Sequence, residues 1–399
     1  MKPNRLDRVS TAALVIAVGA SMAAADETSE LAELRERVEV LEAELDDPGR
    51  PQLRFNIGEN TEIQIYGFVR FEAAYDFNFA QGDATTASVI GDPSAETDGD
   101  FETSVRVSRL GVRSDTTTDI GQIKTELEFD LFSEDSATSS PDIRLRKAFI
   151  NVNDRFLLGQ QNSNFMPSIH YPRSVEFNGP VGLPFARVVQ ARYTHSANGF
   201  TFSGSIEEAA GSAEFPTGGS EDPLATAALL YNISDSASVR VAGLVGTFSE
   251  AGTQEQLDTN GIVLSGTFVP WQGGRFGATY TTGQALGNLL IGGGARSNGA
   301  GEENDSQSFS LELTQQVTEQ VSVGVAYGNE SYDFATPFDA SIPGNGGYTD
   351  LQSVHLNVFY TPVERFTLAA EYVWIESEDD FTGRVDDGSR VGVSATFRF

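Results

Sequence analysis

The chain has 399 residues, no cysteine, three histidines and a formal net charge of −31. The lack of cysteine excludes disulfides, thiolate catalysis and cysteine-ligated metals. With 57 acidic against 26 basic residues, the chain lacks the basic surface that gives affinity for nucleic-acid phosphates. His170, His195 and His355 lie far apart in the sequence, which disfavours a histidine metal site or a catalytic triad. We therefore predict no catalytic residues, no metal site, no cofactor and no nucleic-acid partner.

The first 25 residues have the layout of a secretory signal peptide. Lys2, Arg5 and Arg8 precede an apolar run over 12–20, and small residues lead up to Ala25. The apolar run is too short to cross ~30 Å of hydrocarbon as an anchor helix. No later stretch contains 18 consecutive apolar residues, which argues against a helical membrane protein. We predict cleavage after Ala25 and export of the remaining chain.

Residues 26–47 carry a heptad pattern. Its apolar positions are separated by three and four residues in turn: Leu31, Leu34, Val38, Leu41 and Leu45. So short a coiled coil is marginal alone, and an oligomeric domain downstream would supply the local concentration it needs. The alternative is a helix packed on its own domain, which the Pro and Gly of the linker 48–60 disfavour. We predict a periplasmic coiled coil over 26–47.

From residue 61 to 399 the apolar period changes to two. In Gln122–Leu131, for example, Ile123, Leu127 and Phe129 alternate with charged residues. Each run is about nine to eleven residues long, the length of a tilted transmembrane strand. Sixteen such runs lie near 62–76, 104–114, 122–132, 143–152, 155–160, 187–195, 199–207, 224–233, 237–247, 260–269, 274–283, 307–315, 320–328, 351–360, 365–375 and 389–399.

The connections between these runs alternate in length. A long stretch follows every odd run and a short turn follows every even run, such as Asn198-Gly199. This layout is typical of a bacterial outer-membrane barrel with extracellular loops and periplasmic turns, although a soluble all-β fold also has regular strands. The last run ends on Phe399, as in outer-membrane barrels. We predict an all-β fold: a 16-stranded antiparallel transmembrane β-barrel over 61–399, preceded by a short N-terminal coiled-coil helix.

Sixteen strands enclose an aqueous channel, so function depends on what narrows it. The loop 161–186 is rich in proline and apolar residues, unlike the other long connections. Phe165, Met166, Tyr171 and Phe185 are candidates for buried anchors that hold this loop inside the barrel. The alternative is a loop packed over the mouth of the barrel or on a neighbouring subunit.

Basic side chains are scarce overall but frequent on the early strands: Arg70, Arg106, Arg109, Arg113, Lys124, Arg144, Arg146, Lys147, Arg187 and Arg192. Arginine holds planar carboxylates bidentately, so a row of arginines in a pore suits anionic solutes. Glu126, Glu128 and Asp130 share the lumen phase, and Glu176 lies in the candidate constriction loop. These acids either create a field across the constriction or neutralise the basic side chains. A further acidic cluster at 92–102 is a solvated loop or a site for divalent cations or lipopolysaccharide.

The alternation breaks in two runs. In the run near 104–114, Val105 and Val107 are out of phase with Leu110, and in the run near 143–152 the phase of Leu145 would turn Lys147 outward. A β-bulge would repair either strand. Alternatively, these strands face another subunit, where outward polar groups can be paired.

Several of these stretches resemble the DcaP-like trimeric outer-membrane porin family. They are GFVRFEAAYDF (67–77), SRLGVR (108–113), DIGQIKTELEFDLF (119–132), IRLRKAF (143–149), FLLGQQNSNFM (156–166) and FNGP (177–180), after the N-terminal heptads. The resemblance is concentrated in residues 30–195. It implies a homotrimer of sixteen-stranded barrels, a periplasmic coiled coil and diffusion of small anions, notably dicarboxylates. It also implies that Arg109, Arg113, Arg144 and Arg146 contact the solute.

We therefore expect a passive outer-membrane porin for small hydrophilic solutes, with lipid and lipopolysaccharide around it. The candidate pore residues are Arg109, Arg113, Lys124, Arg144, Arg146, Glu126, Glu128, Asp130 and Glu176. The alternatives are a phosphate-selective porin, which would use several lysines where only Lys124 and Lys147 are found, and a cation-leaning general porin. An enzyme built on a barrel would need a nucleophile and a base, and the sequence shows no such pair. A tethering role for the coiled coil would be additional to transport.

Overall fold

The computed structural model describes residues 53–84, 87–133, 141–209, 222–249, 256–298, 301–334, 348–380 and 382–399. The predicted signal peptide and coiled coil lie outside these ranges. The described chain forms 18 strands of one sheet and two short 3-10 turns, Ala87–Val89 and Gly287–Leu289. The strands are β1 Leu53–Ile57, β2 Thr61–Asp76, β3 Asp100–Ser104, β4 Arg109–Thr118, β5 Gly121–Asp130, β6 Arg144–Val152, β7 Phe156–Asn162, β8 Arg187–Ala197, β9 Phe200–Glu207, β10 Leu224–Ser234, β11 Ala237–Ser249, β12 Gln256–Phe268, β13 Gly274–Gln284, β14 Asp305–Gln316, β15 Val321–Asp333, β16 Asp350–Val363, β17 Phe366–Asp379 and β18 Arg384–Arg398. None of the described helices is long and apolar enough to cross a membrane.

The strands close into an antiparallel barrel of sixteen strands, as predicted. From β4 to β18 each strand pairs with the next in the chain, and β18 pairs with β2 to close the sheet. β3 and β4 count as one barrel strand because they pair with successive parts of β2. β1 is a short addition to the end of the barrel. A closed sheet satisfies every interior backbone group and leaves no edge.

β1 lies within the stretch predicted to be a linker, residues 48–60. It pairs with the start of β2, on the edge that β18 uses further along the same strand. Phe399 exchanges backbone hydrogen bonds of 3.0 and 3.3 Å with Gly67, directly beyond this point. β1 therefore occupies the place beside β2 that β18 would take if it extended beyond Phe399. Its alternation of Leu53, Phe55 and Ile57 with polar residues is the sequence signal for this strand.

The two faces of the barrel differ as the period-two pattern predicts. On β16, Leu356, Val358 and Tyr360 point outward and are 49%, 40% and 41% exposed. Asn357 and Phe359, between them, point inward and are buried. The other strands repeat this arrangement with few exceptions. The result is an apolar outer surface of the kind that faces lipid in membrane barrels.

The connections fall into two classes at the two ends of the barrel. The short turns are 119–120, 153–155, 198–199, 235–236, 269–273, 317–320 and 364–365. Asn198 and Gly199 have φ of 53° and 77°, the conformation of a two-residue hairpin turn of type I′. The long connections all leave from the opposite end, which we call the long-loop end. The connections at that end are mostly longer than the short turns, as predicted, but the one between β17 and β18 is only 380–383 because both strands extend beyond the predicted runs.

Bulges repair both strands whose alternation breaks in the sequence. Along β5 and β6, Glu128 is paired with Lys147 but Phe129 with Leu145, so one residue of β6 is extra. Arg146 and Lys147 consequently both reach the lumen, which corrects the outward phase read for Lys147. In the other strand, residues 105–108 interrupt the pairing between β3 and β4, and Ser108 N donates to Val105 O at 3.0 Å.

Candidate functional site

The inside of the barrel is an open channel. It forms a connected cavity of about 2250 Å³. Fifteen basic and eight acidic side chains of the described residues line this cavity. In the whole sequence the balance is the reverse, with 57 acidic and 26 basic residues. The fold therefore gathers the scarce basic residues around the channel and places most of the acids elsewhere.

The connection between β7 and β8, residues 163–186, lies inside the barrel and is called the inner loop below. Its first residues are held by β9, where Glu207 accepts hydrogen bonds from Ser163 Oγ at 2.6 Å and from Asn164 N at 2.8 Å. On β11, Arg240 Nη2 donates to Asn164 O at 2.6 Å. The inner loop therefore leaves β7 and follows the inner surface of the barrel.

The far part of the inner loop is fixed to the opposite half of the barrel. Glu312 on β14 accepts a hydrogen bond from Arg173 N at 2.6 Å. Glu371 on β17 accepts hydrogen bonds from Ser174 Oγ at 2.7 Å and from Val175 N at 3.0 Å. Both glutamates are buried. Buried carboxylates that accept backbone hydrogen bonds are strong attachments because charged acceptors give the stronger bonds.

The inner loop then returns nearer the long-loop end. Val181 N donates to Ser353 Oγ on β16 at 3.1 Å, and Gly182 N donates to Glu330 on β15 at 2.8 Å. Glu330 also accepts a hydrogen bond from Gly292 N at 2.7 Å, which joins the inner loop to the connection 285–304. The inner loop thus lies along the wall on strands β9 to β17 and narrows the channel from that side.

The four apolar residues proposed as anchors of this loop have different environments. Phe165 and Met166 are buried, with 2% and 6% exposure. Tyr171 is 40% exposed. Phe185 is half-buried, and both it and Tyr171 line the channel. The apolar composition therefore serves two purposes, attachment at the start of the loop and lining of the channel at the other positions.

We expect Gly328→Val to dislodge the return part of the inner loop. A Cβ at Gly328 on β15 would lie 1.9 Å from Val181 O, so no side chain fits without moving the loop. Valine is chosen because it favours strands, which leaves β15 itself intact. We expect a lower melting temperature and a changed single-channel conductance. The control is Gly243→Val on β11, where the nearest atom to an added Cβ is Gly261 O at 3.8 Å; equal behaviour of the two variants would contradict the prediction.

Strands β4, β5 and β6 carry most of the charges proposed as pore residues. Five basic side chains on β4 and β6 flank three acidic side chains on β5; we call these eight residues the charged patch: Arg109, Arg113, Arg144, Arg146, Lys147, Glu126, Glu128 and Asp130. The acids lie beside the bases on the same wall of the channel, not across the channel from them. The patch has two more basic than acidic side chains, so it carries a net positive charge.

Each acid of the charged patch is paired. Arg144 donates Nε and Nη2 to the two oxygens of Asp130 at 2.9 and 2.7 Å. Arg146 donates Nε to Glu128 at 2.9 Å and Nη1 to Asp130 at 2.6 Å. Glu126 accepts a hydrogen bond from Lys147 Nζ at 3.0 Å. Of the two interpretations left open by the sequence, the contacts favour neutralisation of wall charges.

The members of the patch differ in how far they reach the lumen. The side chains of Arg113, Arg109 and Lys147 are 30%, 23% and 20% exposed. The side chains of Glu126 and Glu128 are only 9% and 3% exposed. A solute in the channel therefore meets guanidinium and ammonium groups, and the carboxylates lie behind them.

Three proposed pore residues, Asp130 within the patch and Lys124 and Glu176 outside it, have other surroundings. Asp130 is completely buried and does not line the channel, unlike the other eight. Lys124 lines the channel near the short turns, where its Nζ pairs with Asp154 at 3.0 Å. Glu176 on the inner loop lines the channel and accepts hydrogen bonds from Asn178 N and Gly179 N at 2.8 and 2.9 Å. Its carboxylate therefore shapes the turn of its own loop.

Sequence reasoning missed the aromatic residues that support the patch. Tyr66 on β2 donates its hydroxyl to Glu126 at 2.8 Å and to Glu128 at 3.0 Å, and the guanidinium of Arg113 lies 4.2 Å from its ring. Phe132 stacks on Phe177 of the inner loop with ring centroids 4.6 Å apart. The inner loop therefore reaches the patch. Tyr66 was readable as a lumen-phase residue of β2, but its contacts depend on distant strands.

The three histidines do not form a common site. His170 of the inner loop bonds through Nδ1 to Thr279 Oγ1 at 2.8 Å, and burial, with Arg275 nearby, lowers its pKa to about 3. His355 bonds through Nδ1 to Glu371 at 3.1 Å. In the parts of the chain that the structure describes, no group of three metal-ligating side chains is close enough to hold an ion.

Known proteins share both the sequence pattern and the fold. The family model described as DcaP outer membrane protein matches residues 54–235, from β1 to the turn after β10. The outer membrane channel DcaP of Acinetobacter baumannii superimposes with a TM-score of 0.75 at 21% identity, covering 86% of this chain and 99% of that chain. No curated protein matches the sequence.

Two further barrels are similar in fold. An anion-selective porin from Comamonas acidovorans has a TM-score of 0.57 at 13% identity, covering 85% of this chain and 100% of that chain. OmpT of Vibrio cholerae, folded in vitro and in a trimer form, has a TM-score of 0.53 at 15% identity, covering 86% and 100%. The match to the family model described as DcaP outer membrane protein, together with the shared barrel fold, confirms the outer-membrane location, the channel class and the prediction that the chain is not an enzyme. Over residues 54–235 the chain matches the DcaP outer membrane protein family model, and it forms an outer-membrane channel.

Proposed function

We propose that this channel passes small hydrophilic anions by passive diffusion, with a preference for dicarboxylates. The observation that carries the proposal is the exposure of the charged patch. Arg109, Arg113 and Lys147 of the patch reach the lumen, and its carboxylates are buried behind them. An anion that enters therefore meets positive charge at the level where the inner loop narrows the channel.

The preference for dicarboxylates rests on the geometry of the donors. Guanidinium groups bind a carboxylate with two parallel hydrogen bonds. Arg109 and Arg113 lie on β4, whereas Arg144 and Arg146 lie on β6, with β5 between them. Adjacent strands are about 4.8 Å apart, so donors two strands apart can each hold one end of a short dicarboxylate. Arg109 and Arg113 are the available donors on β4, and Lys147 is the available donor on β6, because Arg144 and Arg146 are bound tightly to buried acids.

The alternatives are less well supported. A phosphate-selective channel would use several lysines at the narrow level, and Lys147 is the lysine of the charged patch. A cation-leaning channel would expose carboxylates there, whereas Glu126 and Glu128 are buried. Although the whole chain is strongly negative, the described residues that line the lumen include fifteen basic and eight acidic side chains, so the lining is mainly basic.

The assembly proposed with this function is a homotrimer. The fold resemblance to a porin found in a trimer form supports it, and so does the predicted coiled coil over 26–47, which needs partner helices. Export through the signal peptide 1–25 and contact with outer-membrane lipid and lipopolysaccharide complete the proposal.

The test is the reversal potential of the purified protein in a planar bilayer under a KCl gradient. We expect an anion-leaning reversal potential, three equal conductance steps per insertion, and transient current blocks when succinate is added. Succinamide, which has the same carbon skeleton without charge, is the control and should not block. A cation-leaning reversal potential without a response to succinate would contradict the solute assignment while leaving the channel itself intact.

A further inference from the structure

The connection 285–304 places an arginine in a closed pocket beside the inner loop. Arg296 is only 7% exposed. Its carbonyl oxygen accepts a hydrogen bond from Asn304 N at 2.9 Å, and Ser297 forms an isolated β-bridge with Glu303. This small hairpin fixes the backbone of Arg296, so the side chain is held in position before any ligand arrives.

The guanidinium of Arg296 is buried and pairs with no acidic side chain of the described residues. Neither Nε nor Nη2 has a hydrogen-bond partner in the described part of the chain. Removal from water is the only cause that lowers the pKa of Arg296, to about 9, so the group stays charged at neutral pH. The ring of Phe248 lies 3.8 Å from Cζ and supplies part of the missing stabilisation. A buried charge without a counter-ion is otherwise costly.

The pocket has room for one small ligand. Its volume is about 20 Å³, slightly more than the space that one water molecule requires. Phe165, Leu244 and Phe248 give it a mainly apolar lining. Glu207 also borders the pocket, but its carboxylate already accepts four hydrogen bonds from its neighbours on β9, β10 and the inner loop. Glu208, at the border of the pocket, is exposed to solvent.

We infer that Arg296 binds one small monovalent anion, of the size of chloride, in this pocket. A water molecule would fill the space but leave the charge uncompensated, whereas an anion neutralises the guanidinium and accepts both free N–H groups. The size of the pocket excludes a dicarboxylate, so this site is distinct from the pathway of the proposed solute.

The bound anion has a structural consequence for the channel. Phe165 and Pro184 of the inner loop line the same pocket as Arg296. Phe185 N donates to Leu289 O at 2.7 Å, and Pro184 forms an isolated bridge with Leu290. The anion therefore sits at the junction of the inner loop and the connection 285–304 and stabilises their contact.

Crystals grown in sodium bromide test the site, because bromide replaces chloride and is identified by its anomalous scattering. We expect one bromide per chain beside Arg296 in the parent protein and none in Arg296→Gln. Arg384→Gln is the matched control, since Arg384 is an exposed arginine at the same end of the barrel and pairs with Asp386. This variant should keep the bromide.

Thermal unfolding in sodium chloride and in sodium gluconate at equal ionic strength gives a second readout. We expect the parent and Arg384→Gln to melt at a higher temperature in chloride and Arg296→Gln to melt at the same temperature in both salts. Absence of bromide at Arg296 in the parent would overturn the inference without help from any variant. Bromide in the crystal combined with a parent melting temperature that ignores the anion would mean an adventitious ion only, which also overturns it.

Discussion

Replacing Arg109, Arg113 and Lys147 together by glutamine is expected to abolish the anion preference of the channel. The three are basic side chains of the charged patch that reach the lumen, and their removal leaves two bases against three acids. The patch then changes from a net positive to a net negative charge. In water, the attraction between two unit charges 4 Å apart contributes about 1 kcal/mol, which corresponds to roughly a fivefold change in local anion occupancy. The triple variant should therefore move the reversal potential in a KCl gradient to zero or to the cation side and abolish succinate blocking.

The matched control removes three basic groups from another part of the same channel. Arg54, Lys124 and Arg155 also line the lumen, at the end with the short turns. Their replacement by glutamine changes the net charge of the chain by the same amount but leaves the charged patch intact. Only a modest change of the reversal potential is expected. If both triple variants shift it equally, the preference arises from the overall charge of the lumen and the patch has no special role.

Single variants within the patch separate exposed from buried charge. Glu126→Gln removes an acid that is almost fully covered. We expect a moderately stronger anion preference with retained folding, because glutamine can still accept the hydrogen bond from the Tyr66 hydroxyl.

Asp130→Asn leaves Arg144 and Arg146 buried without their carboxylate. We expect that variant to lose stability, measured as a lower melting temperature, because removing one partner of a buried pair leaves an uncompensated charge.

Much of the fold was readable from the sequence because lipid and water impose a simple pattern on a barrel. β17 is an example, where Leu368, Ala370 and Tyr372 alternate with buried residues along the whole strand. The bulge in β6 could also be predicted, because the successive basic residues Arg146 and Lys147 cannot both point inward on a regular strand. β1 was missed because five residues close to a proline give too little alternation to separate a strand from a linker.

The ion pairs within the charged patch could be predicted from the sequence only once the register between β4 and β5 was known. The two-residue turn at 119–120 sets the pairing in which Arg113 lies opposite Glu126 and Arg109 lies opposite Asp130. With that register the acids and bases are neighbours on adjacent strands. The alternation shows only that these side chains face the lumen. Without the register between the strands, an electric field across the channel was an equally acceptable interpretation.

The attachments of the inner loop could not be predicted from the sequence. Glu371 is one acid among many on a strand, and its partners Ser174 and Val175 are nearly 200 residues away in the chain. The alternation along β17 places Glu371 on the inward face and Glu376 on the outward face, but it does not identify the partners of Glu371. Only the closed barrel, which brings β17 next to a loop that starts at β7, reveals that Glu371 is an anchor.

Glu371→Gln is expected to release the middle of the inner loop. The carboxylate accepts hydrogen bonds from Ser174 Oγ, Val175 N and Asn357 Nδ2, and also contacts His355. Hydrogen bonds to charged groups contribute about 1.5–3 kcal/mol each, and glutamine offers one oxygen and a donor where two acceptors are needed. The loop around Val175 should therefore detach intermittently, which we expect to appear as increased open-channel noise with brief partial closures.

The lack of cysteine in the chain allows the detachment to be measured directly. Val175 is 3% exposed, so a single cysteine placed there should react slowly with a polar thiol reagent in the parent background. Glu371→Gln should accelerate this labelling, because each detachment exposes the thiol. Glu376→Gln is the matched control, since Glu376 lies on the same strand but bonds to Gln352 and makes no contact with the inner loop. Equal labelling rates in the two backgrounds would show that Glu371 does not hold the loop, and the attachment would then have to come from Arg70 and Asn357, which donate to Val175 O and Arg173 O.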